Sequence, residues 1–134
     1  MGKVVFIDTN IFLEIFLGDL KAEACRDYLL SLKKQKIDAV TTDFIVYSCI
    51  LIAQNKTNKL DSVNKIILFF NSYPIKILRP SFDDLYDAIK IMKCHNLDFD
   101  DSLVLACMKN NSIKDLASMD KHFDKIKDMN RIGF

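Results

Sequence analysis

The sequence predicts an α/β protein built on a parallel sheet with helices on both faces. Strand-length runs, Lys3–Ile7, Ala39–Thr42, Ile75–Leu78 and Asp115–Met119, alternate with longer stretches whose apolar residues recur at helical spacing. Runs such as Val4-Val5-Phe6-Ile7 are apolar throughout rather than alternating, which is the pattern of strands covered on both sides. The connections between them are long enough for helical crossovers, which parallel neighbours require and which wind right-handed.

Taken in order, the first strand stops at Asp8. Thr9 and Asn10 supply helix-start chemistry for Ile11–Leu17, and Gly18 a stop. A second helix is predicted over Lys21–Lys33, with Ala24, Tyr28, Leu29 and Leu32 at helical spacing. After the strand at Ala39–Thr42, the run from Asp43 to Ala53 is too long for a strand and apolar on most sides. It reads as a buried helix capped by Thr42 or Asp43. Leu60–Asn71 reads as an outer helix with Leu60, Val63, Ile67 and Phe70 as its apolar stripe. Ile75–Leu78 is a strand ended by Arg79-Pro80. Ser81-Phe82-Asp83-Asp84 then forms a capping-box pattern for a helix to about Cys94, with His95 a charge partner for its carbonyl end. Asp100 or Asp101 opens a helix through Met108, and Asp115–Met119 returns to a strand.

A chain of 134 residues, half of them apolar, is read as one domain spanning residues 1–134. Three glycines, two prolines and no Ser/Gly-rich stretch mark no linker, and no segment repeats. Met1-Gly2-Lys3 and the short apolar run after it lack the pattern of a signal peptide, and no run approaches membrane-spanning length, so a cytoplasmic protein without a membrane partner is expected. Cys25, Cys49, Cys94 and Cys107 lack paired C-x-x-C spacing and read as buried free thiols in a reducing compartment. A net charge of +1 does not by itself advertise nucleic-acid binding. Lys33, Lys34 and Lys36 read as a solvated cluster. Lys121, Lys125, Lys127 and Arg131 are either solvated too or flank an acidic crevice formed with Asp120.

That crevice is the principal functional expectation. In an open parallel sheet, residues beyond the carboxyl ends of neighbouring strands gather at one place. Asp8 follows the first strand, Asp120 follows the last, and Asp101 lies at a helix N-terminus, so the three are expected to converge. Carboxylates brought together repel unless a cation binds them. Hard oxygen ligands favour Mg²⁺ or Mn²⁺, and such sites take substrate phosphate into their coordination, which makes phosphodiester hydrolysis the first reaction to test. Each aspartate also has a plainer use, Asp8 and Asp101 as helix-start groups and Asp120 as a turn residue. Asp98 and Asp124 read as solvated, and the many phenylalanines as core. The only histidines, His95 and His122, have no obvious nucleophile partner, and there is no G-x-x-x-x-G-K-[ST] loop.

Phe6-Ile7-Asp8-Thr9-Asn10-Ile11, Asp101-Ser102-Leu103-Val104-Leu105-Ala106 and Ser118-Met119-Asp120-Lys121-His122-Phe123, in this order and at these distances, resemble the PIN-domain family across nearly the whole chain. Its familiar members include the toxin ribonucleases of VapBC toxin–antitoxin pairs. The resemblance implies a three-layer α/β/α sandwich around a parallel sheet of about five strands, RNA cleavage, and Mg²⁺ or Mn²⁺ held by acidic side chains. It assigns Asp8, Asp101 and Asp120 as metal-binding and catalytic residues, Asn10 as a supporting polar position, and Ser118 as the hydroxyl that orients a carboxylate or a water. A small antitoxin and a homodimer are the partners it implies beside RNA.

Two positions depart from the family pattern. Ser48 aligns with a usual glutamate and brings no charge, and His122 stands where toxin-type members often carry a further aspartate. Asp98, Asp100 and Asp124 are near enough in sequence to compensate as additional ligands. The departures leave two expectations open: an endoribonuclease of reduced or Mn²⁺-preferring activity, or a catalytically degraded PIN-like domain that binds RNA or protein without cutting.

Overall fold

Val4–Ile7 forms strand β1, the middle strand of the sheet, in a computed structural model that describes residues 3–134. Val5, Phe6 and Ile7 are buried, as expected of a run covered on both faces. Helices α1 (Thr9–Leu17) and α2 (Ala22–Lys34) lead to β2 (Asp38–Thr42); α3 (Asp43–Thr57) and α4 (Leu60–Ser72) lead to β3 (Ile75–Leu78). Then α5 (Phe82–His95) and α6 (Phe99–Asn110) return the chain to β4 (Asp115–Ala117), and a 3₁₀ turn at Lys121–Lys125 precedes β5 (Asn130–Ile132).

The sheet order is β3-β2-β1-β4-β5 and every pair is parallel. Right-handed crossovers carry the chain from β1 outward to β3 on one side, then back past β1 to β4 and β5. Helices α1–α4 therefore pack together on one face, and α5 pairs with α6 on the other, completing the three-layer sandwich. In register, Ile7 lies beside Ala117, and Ala117 beside Ile132. Asp8 and Ser118 consequently leave the sheet side by side.

On the α1 face the layers are joined by rings. Phe12 meets Phe70 edge-on at 4.9 Å between centroids, and Phe16 meets Phe69 at 5.2 Å, tying α1 to α4 in the geometry aromatic quadrupoles prefer. Helix ends follow the sequence chemistry. Gly18 closes α1 with a left-handed φ of 64°, Thr42 caps α3 through Ile45 N–H at 3.2 Å, and Ser81 and Asp84 form both arms of the capping box.

Several boundaries and faces differ from expectation. Helix α6 begins at Phe99 with Asp98 at its N-cap, so Asp100 and Asp101 lie inside the first turn rather than opening the helix. Strand β4 ends at Ala117, which leaves Ser118 and Met119 in the loop. The buried face of α2 carries Ala22, Cys25, Leu29 and Leu32, with Ala24 exposed. In α4, Leu60 and Ile67 point outward while Ile66 and Phe70 are buried. Apolar residues crowd nearly every side of that helix, so its periodicity has two solutions, and the one that sets Phe69 and Phe70 against α1 prevails. Cys25, Cys49 and Cys107 are buried free thiols, but Cys94 is exposed. Among the described residues no helix is long and apolar enough to cross a membrane.

Candidate functional site

Strand order reverses at β1, and a crevice opens beyond the carboxyl ends of β1 and β4, where open α/β sheets commonly bind ligands. Asp8 sits at its floor. Its backbone N–H extends the sheet by donating to Ala117 O at 3.0 Å, while its carboxylate caps α1 by accepting from Thr9 N–H at 2.8 Å. The other carboxylate oxygen accepts from Ser118 Oγ at 2.6 Å, and Ser118 Oγ in turn accepts from Asp120 N–H at 3.0 Å. Asn10 closes the arrangement: its Nδ2 lies 3.4 Å from both Asp8 Oδ2 and Ser118 Oγ, and its Oδ1 accepts from Met119 N–H at 3.2 Å. One buried hydroxyl thus links two acids that stand 112 positions apart in number, because β1 and β4 are neighbours in the sheet.

Above this floor is a cleft of about 260 Å³ whose walls include Asp8, Asn10, Phe44, Ser48, Asp101 and Asp120. Ligand atoms of Asp101, Asp120 and His122 all lie within 4.8 Å of one another. His122 Nδ1 is 3.0 Å from Asp120 Oδ1, an oxygen that also accepts His122 N–H at 2.9 Å. Burial, then the charges of Asp100, Asp8, Asp120 and Asp98, push the Asp101 carboxyl up to about 7. Burial also raises Asp8, against the lowering pull of its hydrogen bonds from Ser118 and Thr9; Asp120 and Asp100 raise it further. So much concentrated negative charge is unfavourable by itself and is relieved by a cation. Two carboxylates and an imidazole suit Mn²⁺ and similar first-row ions, and suit Mg²⁺ less well.

Of the residues singled out in the sequence, Asp8, Asn10, Ser48, Asp100, Asp101 and Asp120 border one cleft; Ser118 lies beneath it and His122 beside Asp120. Asp100 is partly engaged locally, accepting from Asp101 N–H at 3.0 Å. Asp98 is exposed at the N-cap of α6 and makes no side-chain cap bond. Asp124 turns away to Arg131, accepting from Nε at 2.6 Å and Nη2 at 3.2 Å. The basic residues after Asp120 do not act as one group. Arg131 makes that ion pair, while Lys127 joins Lys109, Lys114 and His95 around a separate cavity of about 450 Å³ near the amino ends of β4 and β5. Phe44, expected in the core with the other phenylalanines, is instead 38% exposed on the cleft wall and packs edge-on to Phe99 at 6.4 Å. Its position directly after the Thr42–Asp43 helix start, at the end of a strand pointing to the crevice, was the available signal.

A family model described as PIN domain matches residues 5–129. Among solved structures, the chain is similar to VapC20 of Mycobacterium tuberculosis, a sarcin-ricin loop cleaving toxin, with a TM-score of 0.75 at 15% identity, covering 90% of this chain and 92% of that one. It is also similar to VapBC2 of Rickettsia felis bound to a promoter DNA fragment (TM-score 0.76, 12% identity, 98% of each chain). A toxin–antitoxin complex from Klebsiella pneumoniae superposes with a TM-score of 0.71 at 15% identity over 93% of this chain and 94% of that one. No curated protein sequence matches the chain. At these identities the structural neighbours speak for the fold.

Proposed function

The chain belongs to the PIN-domain family, and from that premise we propose that it is a divalent-metal-dependent endoribonuclease acting as the toxin of a toxin–antitoxin pair. The observation that carries the reading is the grouping of Asp101, Asp120 and His122 at the mouth of a cleft floored by Asp8. Asp101, Asp120 and His122 would hold the ion, with Asp8 completing the acidic wall. A divalent cation there supplies Lewis-acid activation of water and stabilises charge developing on the scissile phosphate. The chain's own groups do the positioning. Ser118 Oγ and Thr9 N–H fix the rotamer of Asp8, Asn10 fixes the Ser118–Met119 loop, and Phe44 lends the cleft wall an apolar face. Water oxygen bonds to phosphorus as the bond to the 3′-oxygen breaks, and the proton passes to that oxygen, leaving 5′-phosphate and 3′-hydroxyl ends. His122 in place of a carboxylate supports a preference for Mn²⁺ over Mg²⁺.

An antitoxin partner is supported by the structural neighbours, two of which are toxin–antitoxin assemblies. A homodimer is in keeping with the exposed apolar residues of α4, Leu60, Ile67 and Leu68. A toxin acting on RNA is expected in the cytoplasm.

Ser48 favours a second reading. It lines the cleft, is half-buried and brings no charge, so the wall on α3 lacks the acid that would strengthen ion binding. On that reading the chain binds RNA or a protein without cutting. One experiment separates the two: labelled structured RNA incubated with the protein in Mg²⁺, Mn²⁺ or EDTA, beside Asp8→Asn and Ser48→Glu. The nuclease reading expects metal-dependent cleavage that is lost in Asp8→Asn and raised in Ser48→Glu. An inactive wild type with an active Ser48→Glu establishes the binding module, and equal activity in wild type and Asp8→Asn identifies a contaminant.

A further inference from the structure

The Arg131 side chain joins β5 to the 3₁₀ turn and to the residue that follows β4. Its Nε and Nη2 grip both oxygens of Asp124, and its Nη1 donates to the backbone carbonyl of Ser118 at 2.9 Å. The side chain is only 16% exposed. Ser118 is held from the same strand a second time, its N–H donating to Ile132 O at 2.9 Å. This is the serine whose Oγ donates to Asp8 and accepts from Asp120 N–H. A rotation of the Ser118 backbone that displaces its Oγ therefore disturbs the bonds to both acids. Gly133 leaves the space the guanidinium needs: a methyl group there would displace Nη1 from its place against Ser118 O, while the nearest backbone atom lies at an ordinary 3.4 Å.

We propose that Arg131 is a positioning residue of the cleft, setting the Ser118 peptide so that its hydroxyl aligns Asp8 with Asp120. A guanidinium suits the task because its planar fork grips the Asp124 carboxylate with two N–H groups and still has a third aimed at a carbonyl. A lysine offers a point charge without the fork. The Asp124 pair orients the fork and the Ser118 bond transmits the position, so this cation near the acids serves their geometry rather than RNA attraction. The inference rests on the cleft being a metal-dependent nuclease centre.

The test uses Arg131→Ala, Arg131→Lys and Gly133→Ala in the full chain, with Mn²⁺ affinity by electron paramagnetic resonance and RNA cleavage kinetics as separate readouts. Outer partners of metal ligands typically change affinity or activity by roughly 10–100-fold. Arg131→Ala is expected to fall within that range in kcat with KM for RNA unchanged, to bind Mn²⁺ more weakly, and to regain rate with added guanidinium ion. Arg131→Lys should recover part of the loss, and Gly133→Ala should reproduce it although Arg131 is present. Wild-type Mn²⁺ affinity and kcat in both Arg131→Ala and Gly133→Ala overturn the proposal. So does a loss that falls on KM and kcat alike and that neither guanidinium nor lysine rescues, because that marks general loosening of the fold. If the wild type binds Mn²⁺ but does not cut RNA, the nuclease reading fails, and the Mn²⁺ affinities of the same variants still decide the role of Arg131.

Discussion

Replacing Asp101 by asparagine should make the metal-free protein more stable, because the native fold holds this carboxylate among four other acids. Its pKa rises from 3.8 to about 7, so the folded chain binds the proton more tightly than the unfolded chain. The sign follows: the contribution of this group is fully favourable below pH 3.8 and is lost as pH climbs through about 7. A shift of about 3 units at about 1.4 kcal/mol each gives roughly 4 kcal/mol, and solvent screening of a half-buried group reduces this to about 2 kcal/mol. Asparagine keeps the size without the charge, and no side-chain hydrogen bond from a described residue reaches the Asp101 carboxylate. Thermal denaturation in EDTA at pH 8 should therefore show Asp101→Asn melting roughly 6–10 °C above wild type, the gap closing towards pH 4. Adding Mn²⁺ should reverse the order, since an ion that binds only the folded wild type adds about 2.7 kcal/mol at a hundredfold excess over its Kd. If Asp101→Asn is no more stable than wild type in EDTA at pH 8, or is equally favoured at pH 4, the reasoning about crowded charge is refuted.

Ser118→Ala should cost about 1–3 kcal/mol in a urea titration, since it leaves the buried Asp8 oxygen with only the longer bond from Asn10 Nδ2 and strands the Asp120 N–H. His122→Asp should lower the ratio of Mn²⁺ to Mg²⁺ affinity by roughly tenfold in a competition titration; an unchanged ratio would remove the imidazole from the ligand set. Phe70→Ala should cost about 3–5 kcal/mol by denaturant unfolding, because Phe70 is buried against the rings of Phe12 and Phe16; a loss under about 1 kcal/mol would mean that α1 and α4 are not locked through those rings.

The parts of the molecule that were legible beforehand are those written in local pattern. The apolar run ending at Asp8, the Thr42 cap and the Ser81–Asp84 box each need only neighbouring residues, and each stands in the structure as expected. Strand β5 was not legible from its own residues: Asn130-Arg131-Ile132 is short and mostly polar, and it is a strand only because β4 offers it an edge. The face of α4 was misread because its apolar residues allow two stripes, and the choice lies with rings on another helix. Around the cleft, the acids were legible through their positions after strands and at helix starts. The partners of Arg131 and Asp124 were not, since side-chain direction at a loop depends on what lies across it. The cation that sequence spacing set beside the crevice is turned into the protein, and the acid offered as a spare ligand is its counterion.

The hydrogen bond from Ser118 to Asp8 spans 110 positions, and a ribosome makes its two ends at very different times. At about 5–20 residues per second, roughly 5–20 s pass after Asp8 is polymerised before Ser118 exists, and Asp120 and His122 come later still. Throughout that interval Asp8 has only its neighbours Thr9 and Asn10 as partners and lacks the hydroxyl that ties it to Asp120. The cleft is therefore complete only once the segment from Asp101 to His122 has been made and β4 has paired with β1, so whatever the grouped acids bind waits on that late closure.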